Sequence, residues 1–381
     1  NGSASYVLLD SVPAGKIPPV YYSVINNDAP AMSLSDTIRV PSAATMTIIY
    51  SAFHYSRKLI LNTASNGANI YGNIYNFPVL VRLSKNTFNF AEAQANGNDV
   101  RFIKPDNTSL PYEIERWDAA RGQAELWVKV DTVYGNDSVQ SINMYWGNSG
   151  AIGVSNSPAV FDTANGFAAV WHLDQNCADA GYNKHDGITG SRDTIGIIGY
   201  SKKFSGADSI KIPGLLGSPS SVTLSAWAQL DTMGTQGSEV ISIGDAVLIR
   251  MDDYRPNYGV MGAMHLSTLP NDTVHYNITS GRKLQKTGWH FLALSVDATN
   301  FVQSLYIDGN LCGLGNSKIS IIDYTGVGQN TFIGKHGNGK NLYNFTGRID
   351  EVRVSKTVLS DDWIKLCYMN QKAEDLLMKF K

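Results

Sequence analysis

The stretch Gly347–Ile364, GRIDEVRVSKTVLSDDWI, decides how the chain is read. It has the form of a last β-strand, a short connector and the first turn of a capped helix. Side chains alternate across a strand. Strict alternation puts Arg348, Asp350, Val352 and Val354 on one face and Ile349, Glu351 and Arg353 on the other. Asp350 then shares a face with two valines, and a carboxylate turned towards an apolar interior needs a partner, either backbone N–H groups or a bound cation. On the same alternation Asp350 and Glu351 point apart and cannot act as an acidic pair. Ser360 fits a helix N-cap, with Asp361 and Asp362 in the first turn where the helix dipole favours them. Trp363, Ile364 and Cys367 fall on one helical face that would pack down on the sheet.

Composition agrees with an all-β chain. Only 17% of residues are charged, below the roughly 25% usual in globular proteins, while 35 glycines and 19 tyrosines accompany abundant Thr, Ser and Asn. That mixture fits many strands joined by turns. A length of 381 residues calls for two or three domains, and 43% hydrophobic residues are enough for their cores. The net charge of −2 and the lack of a basic stripe give no electrostatic reason to expect nucleic acid as a partner. No apolar run reaches the length of a membrane span. The chain starts at Asn1 without a signal peptide, as a mature or excised fragment would. Cys177, Cys312 and Cys367 permit one internal disulfide at most, and their wide spacing is not that of a zinc site. Cys177 with Cys367 is the preferred pair; three buried free thiols is the equal alternative.

Three units succeed one another along the chain. Residues 1–53 hold short β-like runs, among them Thr45–Tyr50 with Met46, Ile48 and Tyr50 on one side. Residues 54–165 offer strands at Ser56–Asn62, Phe77–Leu83, Asp99–Ile103, Tyr112–Trp117, Ala124–Val130 and Ser141–Trp146. In Ala124–Val130 the residues Ala124, Leu126, Val128 and Val130 form one face and Glu125, Trp127 and Lys129 the other, the period of a half-buried strand; Trp127 is placed to cover a second layer. Pro78 makes its strand begin there or lie at a sheet edge. Residues 166–381 open with FAAVWHLD. They continue through VTLSAWAQL, with Val222, Leu224, Ala226, Ala228 and Leu230 on one face, to GWHFLALSVD and SLYIDGN, where Asp308-Gly309 marks a turn.

Three resemblances attach to these runs. LLDSVPAGKI and SDTIRVPSAATMTIIY resemble the last strands of carboxypeptidase-regulatory-like domains of bacterial surface lipoproteins; about half of such a domain fits in residues 1–53. The series YSRKLILNT, FPVLVRL, NDVRF, LPYEIERWD, AELWVKV and MYWGN resembles a bacterial domain of unknown function that commonly precedes a laminin-G-like domain. The series from FAAVWHLD through KKFSGADSIKIP to TFIGK and FTGRIDEVRVS resembles laminin-G-like (concanavalin A-like) domains from end to end. The fold implied is all-β: antiparallel β-sandwiches at 54–165 and 166–381, the second a concanavalin A-like jelly roll.

Glycosidases share that fold, so acidic patterns decide whether chemistry is expected. Hydrolysis of a glycosidic bond requires two carboxylates facing across it. The E-x-D-x-x-E strand pattern of laminarinase-type enzymes is missing. The nearest approach, EIERW at Glu113–Trp117, puts Glu113 and Glu115 on one strand face, as ordinary solvent-facing charges do. No HExxH, GxSxG or Walker-type sequence occurs. A cation site is better supported. The loop DQNCADAGYNKHDG carries Asp174, Asn176, Asp179, Asn183 and Asp186, an oxygen-rich set of the kind calcium takes. In related sandwiches a calcium often ties an early loop to the last strand, and that resemblance implies structural Ca2+ at Asp174, Asp179 and Asp350; turn capping by the same side chains is the plain alternative. Sugars call for exposed aromatics and polar groups. Trp171, Trp227 and Trp289 lie in apolar strands and read as core. Candidate ligand-binding residues lie in the loop read from Asp252 to Tyr276: Tyr254, Arg255, Asn257, Tyr258, His265 and Tyr276, with His275 beside them. The expectation is a non-catalytic, extracellular or cell-surface binding protein, with anchoring through an upstream lipoprotein segment as one option. It would engage a polysaccharide or surface glycan through the laminin-G-like unit, or other surface proteins. A structural module and a polysaccharide hydrolase are the alternatives.

Overall fold

A computed structural model describes residues 50–214, 216, 220–269, 272–316 and 328–381, with the side chains of 265–269 and 272–275 left aside. The expected carboxypeptidase-regulatory-like segment lies outside the described residues except for its last four. Phe53–Lys381 forms one compact unit.

The described strands build four sheets by antiparallel pairing. A four-stranded sheet runs in the order Met378–Phe380, Tyr55–Leu61, Ser141–Trp146, Arg101–Ile103, and a three-stranded sheet in the order Ile74–Ser84, Gln123–Val133, Tyr112–Asp118. Leu59, Leu61, Val79, Val81, Leu126, Val128, Ile142 and Met144 meet between them in one core. Pro78 stands inside an edge strand, opposite Lys129, so the edge reading holds and the strand begins earlier. The second sandwich sets an eight-stranded sheet against a seven-stranded one. All five alternate residues from Val222 to Leu230 enter the core between them, together with Ile241, Ile249, Leu294 and Ile349. This is the expected jelly-roll sandwich.

Two devices join the sandwiches. The outer face of the three-stranded sheet presents Leu80 and Trp127 to Phe161, Phe167, Val170 and Ile198. The helix Asp361–Gln371, capped by the Ser360 hydroxyl accepting from the Trp363 N–H, lays Ile364, Leu366 and Cys367 into the first sandwich's core. That same core takes in Trp227, Phe291 and Tyr306 from the outer face of the eight-stranded sheet. Beyond the helix the chain returns to the four-stranded sheet, pairing Leu61 with Met378 and Leu59 with Phe380. All three cysteines are free. The preferred Cys177–Cys367 pair fails because Cys177 lies between the two sheets of the second sandwich and Cys367 on the helix outside it.

The last long strand, Thr346–Ser355, departs from strict alternation. On one side Ser225 pairs with Arg353 but Trp227 pairs with Asp350, a bulge that coincides with Glu351 at φ 50°. Ile349, Val352 and Val354 therefore share the core face, and Asp350, Glu351 and Arg353 turn outward together. A bulge adds one residue to one strand and re-aims the side chains after it. The expected grouping of Asp350 with the valines, and its separation from Glu351, are both corrected by it. On the strand's other side Val352–Ser355 pair with Phe167–Trp171, whereas Thr346–Ile349 pair with Tyr200–Ser205. Asp350 and Glu351 stand at the fork where these two neighbours part.

Candidate functional site

Two polar regions stand out, one buried at this fork and one on the seven-stranded sheet. At the fork, Asp350 is fully buried and its Oδ2 accepts the Ile197 and Ile198 N–H groups at 2.9 and 3.1 Å. A Cβ at Gly196 would fall 2.3 Å from that oxygen, so the turn can close on the carboxylate only with glycine there. Glu351, 1% exposed, accepts from Arg353 Nη2 at 2.7 Å and faces His172 Nδ1 at 2.7 Å. The other ring nitrogen of His172, Nε2, lies 3.2 Å from Glu113 Oε2. Glu115 Oε2 accepts from Trp127 Nε1 at 2.6 Å and lies 3.5 Å from His172 Nδ1. The Trp127 ring stacks on His172 with centroids 5.7 Å apart. Glu113 and Glu115 are thus not the solvent-facing charges expected of them, because the outer face of their sheet is covered by the second sandwich. The two alternating acids carry no signal of this, as they look the same on a wet face and a covered one; Trp127, read as covering a second layer, is the signal on the same face.

Electrostatics follow from burial among like charges. Desolvation raises the Glu115 carboxyl well above its usual range, and the charge of Glu351 adds to it while His172 opposes. Asp350 is raised well above its range by the same burial and by Glu351. Glu351 is lowered: burial works against its charge, but His172 and Arg353 outweigh it. Burial likewise opposes charge on His172, yet Glu351, Glu115 and Glu113 together hold it well above an ordinary imidazole.

Of the residues expected to hold calcium, Asp174 and Asp350 come to opposite ends of one turn. Asp350 touches Gly196, and Asp174 Oδ2 lies 3.4 Å from the position of a Cβ on Gly199. Asp179 has another role. Its Oδ1 accepts from Val170 and Gly181, and its Oδ2 from His185, so backbone donors engage both oxygens and fix the loop.

The second region contains part of the expected sugar site. Residues 252–276 are not one loop: Met261–Leu269 and Asp272–Thr279 pair as strands, His265 opposite His275. The sequence signal for this is the period-two alternation of Val274, Tyr276 and Ile278 with Thr273, His275, Asn277 and Thr279. The His265 side chain lies outside the described residues. Tyr276 is partly buried against the main core and does not join the others. The short loop that remains gathers Tyr254, 52% exposed, Arg255, Asn257 and Tyr258. The Arg255 guanidinium lies 4.0 Å from the Tyr258 ring centroid and 5.8 Å from that of Tyr254. Asp253 holds it, accepting from Nε at 2.7 Å and Nη2 at 3.0 Å. Beneath, Asp253 also accepts from Arg250 Nη1 at 2.6 Å, Arg250 Nη2 donates to Glu239 at 2.8 Å, and Glu239 meets His336 Nδ1 at 2.9 Å. His336 Nε2 reaches Asp245 at 3.2 Å, and Arg250 lies 3.7 Å from the Tyr343 ring. The loop is legible in the sequence, but its buried supports are not: they come from the hairpin Gly237–Asp253 that leads into it and from the distant His336 and Tyr343.

Comparison with known proteins matches the order of the parts. Residues 204–365 match the model of the concanavalin A-like lectin/glucanases superfamily, and residues 96–174 that of a domain of unknown function (DUF2341). The chain therefore carries that domain followed by a concanavalin A-like one. No curated protein sequence matches it. Among solved structures it is similar to domain 4 of AbnA, a GH43 extracellular arabinanase from Geobacillus stearothermophilus, in complex with arabinotriose. That likeness has a TM-score of 0.43 and 20% identity over 52% of this chain and 96% of that one. It is also similar to the binding domain of Paraclostridial Mosquitocidal Protein 1, with TM-score 0.43 and 11% identity, over 55% of this chain and 53% of that one. A third is the heptameric SAP-like pentraxin from Limulus polyphemus, with TM-score 0.36 and 10% identity over 47% and 89%. No helix among the described residues is long and apolar enough to cross a membrane.

Proposed function

We propose that the protein binds carbohydrate without chemistry, on the loop of Tyr254, Arg255, Asn257 and Tyr258 of its concanavalin A-like domain, outside the cell or at its surface. The observation that carries this is Tyr254, a half-exposed aromatic ring beside an arginine whose position is set by Asp253. A pyranose presents an apolar face to such a ring and hydroxyls to the guanidinium and amide beside it. The supports matter, because Arg255 and Arg250 share Asp253 and so are ordered before a ligand arrives. The match of residues 204–365 to a superfamily of lectins and glucanases supports a glycan ligand. In this reading Asp350 holds the fold together by its backbone contacts, and structural calcium would add Asp174 to it.

Retention on a panel of plant and microbial polysaccharides in affinity electrophoresis, with and without calcium, tests the reading. At least one polysaccharide should retard the protein. Tyr254→Ala and Arg255→Ala should each weaken retention roughly tenfold, the worth of one good contact of about 1.4 kcal/mol, and Tyr254→Ala should leave thermal stability unchanged. No retention at all, or retention that both variants keep, overturns it.

A second reading, binding of another protein, rests on a different observation. Edge strand Asn310–Asn316 and its neighbour expose Leu311, Leu314 and Val302, at 47%, 68% and 37%. An exposed apolar sheet edge is where a partner strand can add.

A further inference from the structure

His172 is enclosed by rings and acids. Trp127 stacks on it and Phe161 meets it edge-on at 5.3 Å. A ligand atom from each of Glu115, His172 and Glu351 can be taken so that all lie within 4.8 Å of one another. Five carboxylates gather here (Glu113, Glu115, Asp174, Asp350 and Glu351), faced at close range by His172 and Arg353. Arg116, in a two-pronged ion pair with Glu125, and the buried Arg82 act on the cluster from further off. Carboxyl groups crowded at this depth are costly as anions unless protons or a cation compensate them. A separate observation concerns the same carboxyl group. Glu115 has a side chain 2% exposed, yet its Oε1 is sealed from water with no hydrogen-bond partner. Asp174 Oδ1 is in the same condition, and Glu115 Oε1 and Asp174 Oδ2 each lie 3.4 Å from the Cβ position that Gly199 leaves empty.

We propose that Glu115, His172 and Glu351 bind one divalent transition-metal ion, zinc being the best match, which pins the first sandwich to the second. The ligand set is one imidazole nitrogen and carboxylate oxygens, which suits zinc or manganese, whereas calcium takes oxygen alone. The site differs in residues and in ion from the calcium expected at Asp174, Asp179 and Asp350. His172 would ligate through Nδ1, losing the proton it otherwise shares with Glu351, so binding releases a proton. Glu113 would accept a hydrogen bond from Nε2–H and so fix the tautomer, the usual outer partner of a ligating histidine. Arg353 holds Glu351 through its other oxygen, and Trp127 holds Glu115. The ligands come from Tyr112–Asp118, from the residue after Phe167–Trp171 and from Thr346–Ser355, so one ion bonds strands of both sandwiches. Glu113, whose side chain is 12% exposed, is the way in.

The test uses the whole chain, stripped with a strong chelator and then titrated with Zn2+, Mn2+, Co2+ and Ca2+. Calorimetry, elemental analysis after dialysis and the visible spectrum of the Co2+ form are the readouts. One zinc per chain should be retained, a cobalt ligand-field band should develop, and the thermal midpoint should rise with free zinc. Glu115→Gln should abolish retention. Glu113→Gln should weaken it roughly 10–100-fold, as loss of an outer partner does. Cys312→Ser, which removes the exposed thiol, should change nothing. If Glu115→Gln does not fold by circular dichroism, Glu113→Gln and the cobalt spectrum of the unaltered chain decide. No retained metal, retention that survives both glutamine variants, or preference for Ca2+ overturns the proposal and leaves His172 an imidazolium held by acids.

Discussion

His336 is enclosed in the second sandwich, with Glu239 on one ring nitrogen and Asp245 on the other. Burial works against its positive charge, but hydrogen bonds and charge from Asp245 and Glu239 prevail and raise it from 6.5 to about 9. A base held more tightly in the folded state stabilises that state fully below the unfolded pKa of 6.5, and the benefit is lost as pH climbs through about 9. The thermal midpoint should therefore fall across that interval, and His336→Gln should flatten the fall while lowering the midpoint at pH 6 or so. Thermal scans of both proteins across the interval check this, and parallel curves would refute it. The same network ends at Arg255 beside Tyr254, so a buried titrating group stands under the exposed loop proposed to bind carbohydrate. None of these partners was legible locally. Glu239, Asp245, Arg250 and His336 are unremarkable in sequence, and the contacts arise because the hairpin Gly237–Asp253 meets the distant segment of His336.

Between elements, the decisive contact is an amide. Asn370, fully buried near the end of the C-terminal helix, accepts the Leu80 N–H at 2.7 Å and donates to the Leu80 carbonyl at 3.0 Å. Leu80 lies on the edge strand of the three-stranded sheet, so the side chain stands in for a neighbouring strand at one position. Arg82 from the same strand donates to the carbonyls of Asn370, Gln371 and Lys372, which a helix C-terminus leaves without partners. Helix and edge thus satisfy each other. Asn370→Ala would leave a buried N–H and carbonyl unpaired, at a cost of about 2–4 kcal/mol. Urea unfolding measures it, and a loss below about 0.5 kcal/mol would contradict the assignment. The helix itself was plain in the sequence, because Ser360 and the two aspartates after it act within one turn. Its second surface, against the first sandwich, was not.

In the molecule as a whole, Phe53–Lys381 behaves as one body because the chain crosses between sandwiches and returns. Trp227, Phe291 and Tyr306 from the second sandwich sit in the same core as Leu59 and Met144 of the first, and Met378–Phe380 closes the first sandwich's sheet. Hydrogen exchange should accordingly give strands Ser141–Trp146 and His290–Asp297 the same opening free energy. Clearly separate values would show two independently unfolding parts. Alternation in Val222–Leu230 and Ala124–Val130, the capped helix and the order of the strands were all readable from the residues alone. They depend on neighbours two to four positions apart, and a β-strand's period does not change with context. The fate of each outer face was readable only in part. Trp127, opposite its strand's apolar set, did announce a second layer, but whether Glu115 and Glu351 meet water or another sheet, and whether Asp350 and Glu351 point together, depends on a bulge and a packing partner distant in the chain, and burial then shifts the titration of acids that look ordinary in the sequence.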